Sequence, residues 1–284
     1  MSSIRGLLSA VCVLLVATPA AAQLDSLLKN KLLNRAEKAV AEPAVSEQER
    51  ENTLGQEWAA VIVGAGGLWA NDRAQKYVNR VGRWVAANSE RPTLAWKFGV
   101  LDSDAVNAFA APGGYVFITR GLLLRLANEA ELAGVLAHEI AHVVEKHHLQ
   151  AMQTAAGTEF AGELAGDVAA AKSKNPQIAA RLIGGIKETM LRGLDRSDEF
   201  EADRMGVVLA ARAGYDPYGL PAVLQMIGTL NPARPELGLL FATHPDPDSR
   251  LDALDRVMSP ALERYAVQEL ARDRFRVETG LAAK

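Results

Sequence analysis

The chain has 284 residues, 49% of them apolar, with 31 basic against 34 acidic side chains and a net charge of −3. That length is ample for a buried core, and the apolar share excludes wholesale disorder. The charge balance argues against a nucleic-acid binder driven by phosphate neutralisation, and the single cysteine, Cys12, excludes a disulfide-stapled scaffold and a thiolate zinc site.

Arg5 supplies a small positive region, and an apolar run follows from Gly6 to about Val16. Ala20 and Ala22 then form an A-x-A cleavage pattern before Gln23. Residues 1–22 read as a secretory signal peptide, too short for a comfortable membrane span. Its removal takes Cys12 with it. The absence of an N-x-S/T sequon favours a bacterial periplasm over a eukaryotic secretory route. No second membrane segment is expected, because charges interrupt the Ala/Gly-rich stretch Ala155 to Gly185.

Residues 23–45 form an N-terminal helical segment, with Leu24 to Val40 helical and Pro43 ending it. Ser46 to Val63 reads as a helix broken by Gly64, Gly66 and Gly67. Asn71 to Ala87 has helical spacing, with Tyr77, Val81, Trp84 and Val85 on one side. Leu94 to Leu101, Asn107 to Ala110 and Tyr115 to Thr119 read as strands, and Pro112-Gly113-Gly114 as a turn. Asn128 followed by Glu131 predicts a capping box and a helix running to about Met152. Asp195 to Ala213 and Pro217 to about Leu230 are further helices. The result is an α+β fold, mainly helical, with a small sheet before the Asn128 helix. One domain is expected over residues 46–260, with a C-terminal tail over 261–284.

The chemistry sits on the Asn128 helix, at His138-Glu139-Ile140-Ala141-His142. Two histidines four residues apart share one helix face and can bind one Zn²⁺ together. Glu139 lies about 100° from His138 and can reach a water activated by the metal. Catalytic zinc takes a third protein ligand and keeps one position open. His147 lies about 140° round a continuous helix from His142, so it points elsewhere. It and His148 are expected to be solvated near the helix C-terminus. The acidic candidates are Asp195, Asp198, Glu199, Glu201 and Asp203. Glu199 and Asp203 share a face, as do Asp195 and Glu199, while Glu201 points about 200° from Glu199. One carboxylate of either pair could bind zinc while its neighbour orients a histidine ring.

Three stretches resemble a known family: Asn107 to Gly121, His138 to His142, and Glu199-Phe200-Glu201-Ala202-Asp203. A fourth, Thr243-His244-Pro245 with Arg250, fits that family's C-terminal signature. The family is the HtpX-like and CAAX-prenyl-protease-like zinc metallopeptidases, which are gluzincins. The resemblance implies a zincin-like metallopeptidase domain, one Zn²⁺ per chain and zinc-dependent endopeptidase activity. It makes Glu199 the third ligand beside His138 and His142, and Asp203 the residue that orients a ligand. It makes Glu139 the general base. His244 then stands near the metal, either stabilising the oxyanion or swinging onto the zinc to block it. Arg250 either assists His244 or pairs with a carboxylate.

With no spans after the signal peptide, the chain resembles the family's soluble periplasmic branch, without the tetratricopeptide array that one relative carries. The strand Asn107, Ala108, Phe109 and Ala110 could accept an extended peptide by main-chain hydrogen bonds. Unfolded or misfolded envelope proteins are the expected substrates, with no nucleic acid. A latent or chaperone-like zinc domain that holds such chains without cleaving them is the alternative. The Ala155 to Gly185 segment is expected to form a mobile cover over the cleft.

Overall fold

The computed structural model describes residues 46–152, 194–244, 246–258, 262–266 and 271–280. The expected signal peptide, the helix over Leu24 to Val40 and the cover over Ala155 to Gly185 lie outside these residues. The elements run α1 (Glu47–Gly66), α2 (Asp72–Ala86), β1 (Lys97–Leu101), β2 (Ala108–Ala111), β3 (Tyr115–Thr119), α3 (Arg120–Leu123) and α4 (Glu129–Val144). They continue with α5 (Arg196–Arg212), α6 (Gly219–Gly228), α7 (Gly238–Thr243), α8 (Pro247–Met258) and α9 (Arg272–Thr279). No helix among the described residues is long and apolar enough to cross a membrane. The α+β architecture agrees with the sequence.

Helix starts follow their caps. The Ser46 hydroxyl accepts from the Glu49 amide at 3.2 Å, and the Glu49 carboxylate accepts from the Ser46 amide at 3.0 Å. At α4 the Asn128 side chain accepts from the Glu131 amide at 2.9 Å, while Glu131 reaches one residue further back, to the Ala127 amide at 2.7 Å. α2 buries Tyr77, Val78, Val81 and Val85. Trp84, grouped with that face by spacing, is 58% exposed, and its indole N–H donates to the Ala213 carbonyl.

The sheet has order β1-β3-β2, with β1 parallel and β2 antiparallel to β3. Among the described residues β2 is therefore an edge strand. α1 packs on the Pro112–Gly114 turn beside it. Only glycine fits at position 55, where a Cβ would stand 1.9 Å from the Pro112 carbonyl oxygen. The buried Glu51 carboxylate fastens this corner: Arg91 donates to it with both terminal nitrogens at 2.8 Å, and the Gly113 amide at 3.1 Å.

α4 packs most extensively on α5 and also against α6, α2 and β2. It stops at Val144, not near Met152. Lys146 takes φ 59°, and helical turns resume only over 147–152. At its other end Glu129 is buried and gathers three distant segments, accepting from Tyr77, Tyr215 and Arg274. Arg274 lies on α9, beyond residue 260, where the sequence suggests only a tail. Phe275 of that helix is fully buried in the main core.

Burial alone would raise the Glu129 carboxyl, but Arg274 and the two tyrosine hydroxyls outweigh it and hold it below 4.5. The stabilisation is therefore complete above the unfolded carboxyl pKa and is lost as pH falls through the depressed folded value. Glu129→Gln is expected to cost about 2 kcal/mol at neutral pH, with the deficit shrinking in acid. Urea unfolding of both proteins across pH checks this, and an undiminished deficit in acid would contradict it.

Candidate metal centre

His138 and His142 lie one turn apart on α4, and α5 crosses that face carrying Glu199 and Asp203, all four buried. The crossing is close because position 206 is glycine: a Cβ there would stand 3.1 Å from the His138 backbone nitrogen.

Donor atoms of three residues approach one another. His138 Nε2 lies 3.1 Å from His142 Nε2. Glu199 Oε2 is 3.6 Å from the first, and Oε1 is 3.5 Å from the second. Ligands at about 2.0–2.1 Å from one tetrahedral ion stand about 3.3 Å apart, so these separations suit a single cation. Glu199 Oε1 is buried without a hydrogen-bond partner among the described residues. An unmatched buried carboxylate oxygen is costly, and a cation facing it removes that cost.

A second trio overlaps the first: ligand atoms of His138, Glu199 and His244 all lie within 4.8 Å of one another. Within it, however, His244 Nδ1 stands 2.8 Å from Glu199 Oε2, a hydrogen-bond length. The His138–His142 pair instead meets both Glu199 oxygens, Oε2 from the first ring and Oε1 from the second. His244 stands beside that set, bonded to one member.

The surroundings orient the donors. Asp203 Oδ1 lies 3.0 Å from His138 Nδ1 and accepts its proton, which leaves the Nε2 lone pair facing His142 and Glu199. Of the two roles open to Arg250 in the sequence, the structure favours a carboxylate partner. Its Nε donates to Asp203 Oδ2 at 2.8 Å and its Nη2 to Oδ1 at 2.5 Å. Its Nη1 stands 3.7 Å from Glu199 Oε2. Asp195 precedes the first turn of α5 and is exposed, so the Asp195–Glu199 pairing is not the buried one.

Charges settle accordingly. Burial would raise both acids, but His244, His142 and Arg250 hold Glu199 well below the usual carboxylate range, and Arg250 with His138 does the same for Asp203. Burial drives His142 well below 6.5, which keeps the ring neutral as a ligand must be. Burial raises the Glu139 carboxyl. Glu139 lines a cleft with Ala108, Phe109 and Ala110 of β2, His142, Glu199 and His244. Asn107 does not line it. Its fully buried carboxamide accepts the Ala108 amide at 3.0 Å and so braces the strand from behind.

Two histidines differ from the sequence expectation. The 140° offset assumed a continuous helix, whereas the chain turns at Lys146. His147 is therefore buried at 2% exposure, with Nδ1 2.9 Å from His142 Nδ1. His148 lines the cleft, its ring 5.2 Å from Trp58 and 5.6 Å from His142, and burial pushes it down to about 3. Trp58 lines the same cleft, a role its sequence position does not announce. The one available signal was the run of two further histidines within six residues of His142.

The sequence profile of peptidase family M48 matches residues 72–258. The chain belongs to peptidase family M48. It is 34% identical over 188 residues to the beta-barrel assembly-enhancing protease of Yersinia pestis, covering 64% of this chain and 38% of that protein. The enzyme of the same name from Escherichia coli K12 is 32% identical over 218 residues, covering 73% and 44%. The mitochondrial metalloendopeptidase OMA1 of Arabidopsis thaliana is 31% identical over 194 residues, covering 63% and 36%. The chain thus spans less than half the length of these relatives. The M48 match contains all the candidate ligands, whereas Trp58 precedes it and α9 follows it.

Arg250→Met would leave the buried Asp203 carboxylate without its main counter-charge and take one of several from Glu199. The metal-free variant is expected to lose about 3 kcal/mol or more in urea unfolding. A loss below about 1 kcal/mol, the scale of an exposed ion pair, would contradict this role.

Proposed function

We propose that this chain is a zinc-dependent endopeptidase of the bacterial periplasm that hydrolyses misfolded or misassembled envelope proteins. The observation that carries this reading is that the His138 and His142 Nε2 atoms and the Glu199 carboxylate approach one another at 3.1–3.6 Å, with His142 and Glu199 lining a cleft that also holds Glu139 and residues of β2. Those three residues would hold the ion. When bound, zinc supplies Lewis acidity to peptide hydrolysis at neutral pH without a covalent intermediate.

The chain's own groups do the rest. Glu139 acts as general base, taking a proton from the attacking water and passing it to the leaving amine. Its raised affinity for a proton suits that traffic. His244 donates to the oxygen that gains negative charge. Asp203, held by Arg250, fixes the His138 ring. Ala108, Phe109 and Ala110 receive the substrate in extended form along the outer edge of β2, with Asn107 holding the strand in place. Such binding reads backbone more than side chains, so it selects unfolded chains.

The proposed compartment rests on the leader pattern in the sequence of residues 1–22. The substrate class draws support from relatives that carry the name beta-barrel assembly-enhancing protease. A second reading, a latent or chaperone-like form, draws on the contact of His244 with Glu199, which sets an imidazole against the ligands.

The mature protein is expected to bind one zinc and to cleave casein, with a chelator abolishing cleavage. Glu139→Gln should retain zinc and lose at least about 100-fold in kcat. Zinc content and casein turnover, measured together, check this. Cleavage that survives the substitution would contradict the base assignment. Zinc binding with casein held soluble but uncut would favour the second reading.

A further inference from the structure

Each of the two candidate histidine ligands has its outer nitrogen occupied, but by different chemistry. His138 Nδ1 faces the Asp203 carboxylate. His142 Nδ1 faces another imidazole, His147 Nδ1, at 2.9 Å. Two ring nitrogens at that distance share one proton, so one donates and the other accepts. If His142 offers its Nε2 lone pair to a metal while neutral, its proton sits on Nδ1. His142 then donates, and His147 Nδ1 accepts. A neutral His147 that accepts at Nδ1 carries its own proton on Nε2. The group near that nitrogen is a carboxylate: Glu201 Oε2 stands 3.5 Å from it. The carboxylate thus stands on the side of His147 that carries the proton.

We propose that His147, backed by Glu201, is the positioning residue that fixes the tautomer and orientation of His142 and so sets the affinity of the metal site. This rests on the zinc reading above. Its structural basis is the break at Lys146, whose φ of 59° folds the chain back so that His147 reaches His142. It also gives α5 a double role. Glu199 supplies a ligand atom, while Glu201, on another side of the same helix, acts on a ligand from behind.

The test uses the full mature protein and two variants. His147→Asn keeps an acceptor oxygen close to the former Nδ1 position, and His147→Phe keeps a ring but offers no acceptor. Zinc affinity is read by competition with a chromophoric chelator. His147→Phe is expected to bind zinc roughly 10- to 100-fold more weakly, and His147→Asn to return to within about threefold of the unaltered protein. A purely structural role would lower the thermal midpoint of both metal-free variants without separating their zinc affinities. Equal affinities for the two variants, or for His147→Phe and the unaltered protein, would overturn the proposal.

A second readout needs no variant. Imidazole ¹⁵N shifts of the zinc-free protein are expected to place the His142 proton on Nδ1 and the His147 proton on Nε2. The reverse pattern would overturn the inference. If the unaltered protein bound no zinc at all, the metal reading would fail and this proposal with it. Tight zinc binding that is indifferent to His147 would sink this proposal alone.

Discussion

The Glu199 carboxylate is fully buried, and a buried anion persists only where opposite charge or hydrogen-bond donors surround it. In this protein it meets two imidazoles from α4, the His244 ring and the Arg250 guanidinium. Much of the surrounding architecture serves that meeting. Gly206 lets α5 lie close against His138, α8 brings Arg250 underneath, and the corner at Glu51 fastens α1 and the Pro112–Gly114 turn beside the edge strand. One oxygen still lacks a partner among the described residues, and a divalent cation is the simplest group that answers it.

Support for the two histidines is asymmetric. Behind His138 stands a carboxylate whose charge Arg250 largely matches, so the ring is held firmly without a strong excess of negative charge. Behind His142 stands a second buried imidazole, His147. The first arrangement comes from the crossing of α4 and α5. The second comes from a local event, the end of α4, and depends on one residue holding a left-handed backbone conformation that lysine adopts at some cost. The distances that define the site are therefore set by tertiary packing on one side and by backbone geometry on the other.

Much of this was legible in the sequence because periodic signals are local. The i,i+4 spacing of His138 and His142 is a property of any helix, and caps such as Ser46 and Asn128 announce where helices begin. The α+β architecture and edge strand followed from short β-rich runs and the Pro112-Gly113-Gly114 turn. What could not be read was where α4 stops, since Lys146 is neither glycine nor asparagine. An extrapolated helix then sent His147 and His148 to solvent. Nor could spacing choose between the Asp195–Glu199 and Glu199–Asp203 pairs, because both satisfy i,i+4. Burial by α4 and α8 separates them. Trp58 and Phe275 reach their places through contacts distant in sequence, which no local pattern encodes.

The account stands or falls on which side chains share one ion. Anomalous diffraction at the zinc absorption edge, on crystals of the zinc-loaded protein, reads this directly. The expected result is a single peak about 2.0–2.2 Å from His138 Nε2, His142 Nε2 and a Glu199 oxygen. A peak elsewhere, or one bound by His138, Glu199 and His244 with His142 displaced, would contradict it.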